Sequence, residues 1–154
     1  MSPAGVESRP SPIAGLGLFA VRPFAAGERI APYVGRRTRQ PEDRGRPGAP
    51  TYLLEVEPGL WVEGDDPANP ARHANHACHP NAELAYEPAT ATAWLTALRP
   101  LEPGEEITFD YGFSVAESLF HPCRCGAADC VGRIVAGPLR GALRRHLRFS
   151  RPRD

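Results

Sequence analysis

The stretch NHACHPNA, residues 75–82, lies near the middle of the chain and is dense in polar side chains. Within it, the metal-capable or hydrogen-bonding residues are Asn75, His76, Cys78, His79 and Asn81. Such a run can hold a metal, bind a ligand, or form a polar turn without particular chemistry. The remainder of the sequence has to decide among these three interpretations.

Length and composition indicate a single globular domain. A chain of 154 residues has a typical single-domain length and buries roughly 68–70% of its unfolded surface, so it needs no crosslinks to fold. The formal net charge is zero, which argues against the whole chain being a nucleic-acid binder. No apolar run is long enough to span a bilayer, and the first residues lack the apolar segment of a secretion signal. These features predict a cytoplasmic protein.

The basic residues are unusual, because all 18 of them are arginine. With the abundant Ala, Pro and Gly, this composition is typical of a GC-rich genome and predicts a bacterial source. The last fifteen residues hold six of the arginines. Leucines at i, i+4 and i+8 in the same region predict an amphipathic helix with a solvated basic face; they are Leu139, Leu143 and Leu147. Contact between this basic segment and nucleic acid or another acidic partner is the alternative, but is not expected.

The four cysteines predict a metal site. Three of them form a C-x-C-x4-C pattern in CRCGAADC, and they are Cys123, Cys125 and Cys130. In a reducing compartment, clustered cysteines indicate metal binding more often than disulfides, and tetrahedral zinc needs four N or S ligands. The fourth ligand is then Cys78, or alternatively His76 or His79. Unrelated buried thiols are a further alternative, whereas a hydrolytic site among the histidines of 73–79 lacks any H-E-x-x-H pattern.

Gly and Pro interrupt the chain every few residues, and the short apolar runs between them are typical of strands. The predicted strands are GLGLFAV (15–21), ERIAPYVG (28–35), TYLLEVE (51–57), LWVEG (60–64), ELAYE (83–87), TAWLTAL (92–98) and EEITFDYG (105–112). Residues 36–50 are polar and rich in Pro and Gly, so we expect a surface loop or variable insert there. Ser114 and Glu117 form a capping-box pattern in front of a short helix.

Five motifs, taken in order, resemble the SET-domain family of protein-lysine methyltransferases with a post-SET zinc segment. They are GLGLFA (15–20), YVG (33–35), ARHANHACHPNA (71–82), LEPGEEITFDYG (101–112) and CRCGAADCVGRI (123–134). The resemblance implies a mainly β fold of short strands in small sheets, with few short helices and a knot-like C-terminal crossing. It divides the chain into a SET domain over 1–113, a post-SET zinc segment over 114–136, and an Arg-rich helix or tail over 137–154.

The same resemblance implies a set of site residues. Tyr111 is the expected catalytic residue, and Tyr33 and Phe109 are expected to line the substrate channel. The residues expected to contact S-adenosylmethionine, in addition to Tyr111, are Gly15, Leu16, Gly17, Asn75 and His76. The expected ligands of one structural Zn2+ are Cys78, Cys123, Cys125 and Cys130.

Lysine methylation requires a neutral amine in line with the donor methyl group. A free lysine has a pKa near 10.4, and desolvation beside a cationic donor disfavours its charged form. Correct positioning alone supplies roughly 7–11 kcal/mol of the barrier, so the protein needs orienting oxygens and a dry channel more than a strong base. Phe109 cannot hold a hydrogen bond that restrains a methylated amine, which predicts di- or trimethylation.

The predicted function is therefore S-adenosylmethionine-dependent transfer of methyl groups to lysine in a protein substrate. The alternative is a catalytically silent SET-fold module that docks peptide or nucleic acid. A zinc scaffold without a cofactor site is a third hypothesis. The protein is expected to work as a monomer or homodimer, away from membranes.

Overall fold

The computed structural model describes residues 5–41 and 52–150, in which ten short strands account for most of the regular structure. The strands are β1 (Val6–Pro10), β2 (Leu16–Ala20), β3 (Arg29–Tyr33), β4 (Arg36–Thr38), β5 (Leu53–Glu57), β6 (Leu60–Glu63), β7 (Asn75–His76), β8 (Ala82–Glu87), β9 (Thr92–Ala97) and β10 (Glu106–Phe109). Within these two ranges, helical structure is limited to α1 (Val115–Ser118), α2 (Arg140–Phe149) and the 3-10 turns Pro70–His73 and Gly137–Leu139. Mainly β structure with few short helices is thus confirmed.

The strands form three small sheets within the described residues. The largest has the order β1-β2-β10-β7, and the other two have the orders β3-β9-β8 and β4-β6-β5. In the first sheet β10 pairs antiparallel with β2 on one side and parallel with β7 on the other. The central position of β10 joins the N-terminal hairpin to residues 75–76.

One apolar cluster connects the sheets. Its fully buried members include Leu18 on β2, Leu95 on β9 and Ile107 on β10. Leu18 and Ile107 are opposite each other in the β2–β10 register, so they interlock from neighbouring strands. The core therefore packs directly beneath the strand end that leads into Tyr111.

The seven strands predicted from the apolar runs are all present, with shifted ends. The predicted loop over 36–50 begins later than expected, because Arg36–Thr38 form β4 against β6. A polar strand of this kind lacks the alternating apolar residues by which strands are recognised in a sequence. The Arg36 guanidinium also pairs with the Glu63 carboxylate on the partner strand at 2.7 Å. The rest of that predicted loop, from residue 42 onward, lies outside the described residues.

The C-terminal part returns to the end of β10 after residues 119–134. The Ala136 amide donates to the Phe113 carbonyl at 2.9 Å, and the Gly137 amide donates to Asp110 Oδ2 at 2.9 Å. The predicted capping box is confirmed, since Ser114 accepts from the Glu117 amide and Glu117 accepts from the Ser114 amide. Threading of this segment past residues 75–82 stays a prediction. Among the described residues, no helix has the length and apolarity to cross a bilayer.

Replacing Leu18 by Ala is expected to lower the free energy of unfolding by about 2–5 kcal/mol, because the site is fully buried and a cavity is left behind. Urea denaturation followed by far-UV circular dichroism measures this loss. Leu98→Ala is the matched control: Leu98 is 49% exposed, and its change should stay within about 0.5 kcal/mol. Equal losses in both variants would contradict the core described above.

Candidate functional site

The two residues of β7 bring the polar stretch 75–82 against the end of β10. Asn75 lies beside Thr108 and His76 beside Phe109 in a parallel ladder. Both β7 side chains are buried, at 9% and 3% exposure. Two polar residues in such an environment need hydrogen-bond partners, and these partners build the site.

Asn75 fastens the glycine-containing N-terminal loop to β10. Its amide nitrogen lies 3.1 Å from the carbonyl oxygens of both Ala14 and Leu16. The same nitrogen lies 3.2 Å from Ser11 Oγ and 2.9 Å from Glu106 Oε1. Ser11 also donates to Glu106 Oε1 at 2.7 Å, so the network closes on itself. Asn75 thus orients backbone carbonyls of the loop, and Glu106 and Ser11 are members of this network that sequence reasoning missed.

The two glycines of this loop have different structural reasons. Gly15 has a φ of 45°, in the left-handed region that favours glycine. Gly17 is needed for space, because a Cβ there would clash with Glu106 Oε1. Gly17 therefore packs on the Glu106 carboxylate, whereas Gly15 and Leu16 face the cavity described below.

His76 connects the pocket to the cysteines. Burial lowers its pKa; the neighbouring Asp110 opposes this shift and Arg140 adds to it. Its Nδ1 accepts a hydrogen bond from the Tyr111 amide at 3.2 Å. A neutral imidazole that accepts at Nδ1 carries its proton on Nε2. Nε2 lies 4.0 Å from Cys78 Sγ, so this N–H faces the sulfur.

Tyr111 follows β10 and is half-buried. Its hydroxyl donates to the Ala74 carbonyl at 2.9 Å, which holds the phenol against the residue that precedes β7. Its ring packs against Phe109, with centroids 4.9 Å apart, and against Phe113 at 5.6 Å. Burial is the main cause of a raised pKa, so the phenol is neutral at physiological pH and acts as a hydrogen-bond donor.

Tyr33 is buried at the end of β3, and its hydroxyl donates to the Tyr52 carbonyl at 2.6 Å. Burial raises the pKa of this phenol as well. Gly64 lies against the ring, since a Cβ there would be 2.5 Å from the Tyr33 hydroxyl. The fully buried Asn69 joins the two segments: its Nδ2 donates to the Gly64 carbonyl at 2.9 Å and its Oδ1 accepts from the Val34 amide at 3.3 Å.

A cavity of about 450 Å³ collects these groups. Of the residues expected at a cofactor or substrate site, those that line it are Gly15, Leu16, Tyr33, Asn75, His76, Phe109 and Tyr111. Gly17 does not line the cavity, because it lies against Glu106. His121, Cys123 and Arg124 close another side, so the cysteine-rich segment forms part of the wall.

The four cysteines converge, and the ligand atoms all lie within 4.8 Å of one another. Cys78 Sγ is 4.0 Å from Cys123 Sγ. Tetrahedral zinc with Zn–S distances of about 2.3 Å needs sulfurs about 3.8 Å apart, so a small contraction completes the site. All four thiols are free of disulfides.

The thiol environments fit a metal-binding role. Burial raises the pKa of Cys78, and burial also raises the pKa of Cys123 to about 12. Burial acts in the same direction on Cys125, but hydrogen bonds from the Cys78 and Ala127 amides lower its pKa to about 7. Cys125 therefore forms a thiolate more readily than Cys78 or Cys123, and a bound dication would hold these two deprotonated as well.

Both histidines considered as alternative fourth ligands have hydrogen-bond partners of their own, and the four cysteine sulfurs already form a complete group. His76 Nδ1 accepts from Tyr111, and His79 Nε2 lies 2.8 Å from Asp129 Oδ1. The sulfur of Cys78 therefore completes the cluster, and the chemistry of the donor set fits Zn2+.

The cysteine cluster makes contact with a cation that the sequence pattern did not indicate. Of the arginines nearest these cysteines in sequence, Arg133 donates to the Leu119 carbonyl at 3.1 Å, and Arg124 lines the cavity. Arg140, the first residue of α2, donates to the Cys78 carbonyl at 2.8 Å.

Comparison with known proteins identifies similar chains. The family model described as SET domain matches residues 15–112. Histone-lysine N-methyltransferase ash1 of Drosophila melanogaster is 32% identical over 139 residues, which is 84% of this chain and 6% of that protein. Histone-lysine N-methyltransferase SETD1B of Homo sapiens is 32% identical over 129 residues, which is 77% of this chain and 6% of that protein.

Solved structures with a similar fold include the crystal structure of KRYPTONITE in complex with mCHG DNA and SAH. It has a TM-score of 0.68 and 24% identity, over 84% of this chain and 28% of that chain. A second KRYPTONITE structure, with mCHH DNA, an H3(1-15) peptide and SAH, has a TM-score of 0.68 and 23% identity. These two structures establish the likeness of the fold.

Purified protein is expected to carry one zinc ion per chain, and Cys78→Ser is expected to lose most of it, because the remaining sulfurs leave the tetrahedron incomplete. Zinc content by inductively coupled plasma mass spectrometry measures both. His79→Ala is the control and should retain its zinc. Retention by Cys78→Ser with loss from His79→Ala would transfer the fourth ligand position to the histidine.

Proposed function

The chain belongs to the SET-domain family, as its motifs predict, and from this premise we propose that it is an S-adenosylmethionine-dependent protein-lysine N-methyltransferase. One observation carries the proposal. The neutral Tyr111 phenol is held by the Ala74 carbonyl inside the cavity that Asn75 and His76 also line. The chain spans only 6% of the length of ash1 and SETD1B, so support rests on the residues of this cavity.

The proposed cofactor site is the part of the cavity between the loop 13–16 and β7. Here the Asn75 network sets the positions of the Ala14 and Leu16 carbonyls, and Gly15 allows the main chain to approach a ligand closely. Bound S-adenosylmethionine would supply a methyl group on a positively charged sulfur. Backbone carbonyl oxygens and a neutral phenol oxygen carry only partial negative charge and suit such a cation. A fully charged group such as a carboxylate would hold it too tightly.

The proposed lysine channel is aromatic. Tyr33, Phe109 and Tyr111 line the cavity, and burial keeps both phenols neutral. An amine that enters this channel loses hydration, which lowers its pKa and favours the neutral nucleophile. The Tyr111 hydroxyl and the Ala74 carbonyl then orient the nitrogen. The proton leaves to solvent before the amine is enclosed, so no basic side chain is needed.

The proposed role of zinc is structural. The four sulfurs leave no position for a substrate or water, which is typical of a structural site. The metal would join Cys78, two residues after His76, to a segment that includes the cavity-lining residues Cys123 and Arg124. It would thereby hold the cavity wall against β7.

The proposed substrate is a lysine of another protein. The similar proteins ash1 and SETD1B are named histone-lysine N-methyltransferases, and one KRYPTONITE structure contains an H3 peptide. The chain contains no lysine of its own, so it cannot be its own lysine substrate. A cytoplasmic location and a bacterial source stay predictions.

Tyr111→Phe is expected to lower methyl transfer by about 100-fold or more, because loss of the hydroxyl releases the amine from its near-attack position. The measurement is transfer of radiolabelled methyl groups from S-adenosylmethionine into protein of a cell lysate. All labelled lysine then belongs to lysate proteins. Equal labelling by the variant and the unaltered protein would remove Tyr111 from this role.

Calorimetry with S-adenosylmethionine separates the competing functions. The enzyme binds the cofactor and transfers label. A catalytically silent module binds without transfer, and a zinc scaffold shows no binding.

Asn75→Ala should weaken binding of S-adenosylmethionine, because it frees the loop 13–16 that the amide holds in place.

Phe109→Tyr is expected to shift the product from di- or trimethyl-lysine toward monomethyl-lysine, because the added hydroxyl can hydrogen-bond a methylated amine and restrain its rotation. Mass spectrometry of the labelled proteins resolves the three products. Leu98→Ala, a change at an exposed residue that does not line the cavity, serves as the control. An unchanged product distribution in Phe109→Tyr would show that Phe109 does not face the amine.

A further inference from the structure

Arg140 occupies an unusual position at the start of α2. Its side chain is only 15% exposed, and its Nε is buried without a hydrogen-bond partner among the described residues. A cation in the first turn of a helix opposes the helix dipole and also loses hydration. Such a placement needs strong compensation from nearby negative groups.

The compensation comes from two distant segments of the cysteine cluster. Arg140 Nη1 pairs with Asp129 Oδ2 at 3.0 Å, and its Nη2 donates to the Cys78 carbonyl at 2.8 Å. Asp129 directly precedes the zinc-ligand candidate Cys130. One guanidinium therefore links the same two chain segments that a zinc ion would link, namely residue 78 and residues 123–130.

Two further contacts hold this part of α2 in place. Arg144, one turn later, donates to the Asp129 carbonyl at 2.8 Å. Leu143, between the two arginines, is fully buried. Polar contacts thus dock the helix on the cysteine cluster, and the burial of Leu143 shows that the same turn of the helix is packed against the protein. Four thiolates around Zn2+ would carry a net charge of about −2, which further favours a buried cation beside them.

We propose that Arg140 is a positioning residue that bridges the two segments of the zinc site, so that helix α2 sets how tightly the cluster holds its metal. This inference rests on the zinc site proposed above. The guanidinium fixes the Cys78 main chain and the Asp129 side chain before metal binds, which lowers the ordering required on binding. Contacts of this kind, one shell beyond the ligands, change metal affinity by about 10–100-fold.

The test measures zinc affinity of the full chain by competition with a chromophoric chelator. Arg140→Ala is expected to weaken zinc binding by about 10–100-fold. Arg140→Lys keeps the charge but cannot span both oxygens, and should give an intermediate loss. Arg145→Ala is the matched control on the same helix: its side chain is exposed and makes neither contact, so its affinity should equal that of the unaltered protein.

Leu18→Ala separates positioning from general destabilisation, because it weakens the core without touching the cysteine cluster; it should retain full zinc affinity. If Arg140→Ala does not fold, zinc affinity is measured in Arg140→Lys and Asp129→Asn instead, since both changes weaken the same bridge. Zinc affinity equal to that of the unaltered protein in a folded Arg140 variant would overturn the proposal. Absence of zinc from the unaltered protein would instead reject the metal site itself.

Discussion

The parallel pairing of β7 with β10 is the contact on which the rest of the site depends. It consists of two residue pairs, Asn75 with Thr108 and His76 with Phe109. A slip of one residue would exchange the faces of Asn75 and His76 and break both of their hydrogen-bond networks. Cys78 follows two residues later, so the same register also decides where the first sulfur lies. The positions of Asn75 and His76 in the cavity wall and of the Cys78 sulfur in the cysteine cluster therefore depend on the same short ladder.

Much of this site was predictable because its residue types are demanded by chemistry. A complete set of four sulfurs can be formed only if Cys78 joins the later three cysteines. The left-handed backbone at residue 15 favours glycine, and a hydroxyl that is neutral and buried in an aromatic cavity is typical of a tyrosine such as Tyr111. Seven of the ten described strands were equally visible, since apolar runs between Gly and Pro have little alternative, whereas β1, β4 and β7 were not predicted. The SET-domain family was therefore correctly identified from short motifs spread over most of the chain.

The features that escaped prediction depend on contacts between residues far apart in sequence. Strand β7 is too short and too polar to produce a hydrophobic pattern. Glu106 alternates with apolar neighbours as any strand residue does, and only the folded chain shows its carboxylate against Gly17 and Ser11. Arg140 belongs to a helix whose arginines were expected to face solvent. Its partner, the Cys78 carbonyl, is 62 positions away, and no local pattern encodes such a contact.

The cysteine cluster and the two phenols of the neighbouring cavity differ in charge. A zinc tetrathiolate would be negative, whereas both phenols of the cavity are kept neutral by burial. His76 stands between the two, and its lowered pKa keeps it uncharged. It can then accept from the Tyr111 amide on one side and direct its N–H toward the Cys78 sulfur on the other. A charged imidazolium has a proton on both ring nitrogens and could not accept at Nδ1, so this pair of contacts requires the neutral form. Arg140 offsets part of this negative charge through its contacts with the Cys78 carbonyl and Asp129, and it does not itself line the cavity.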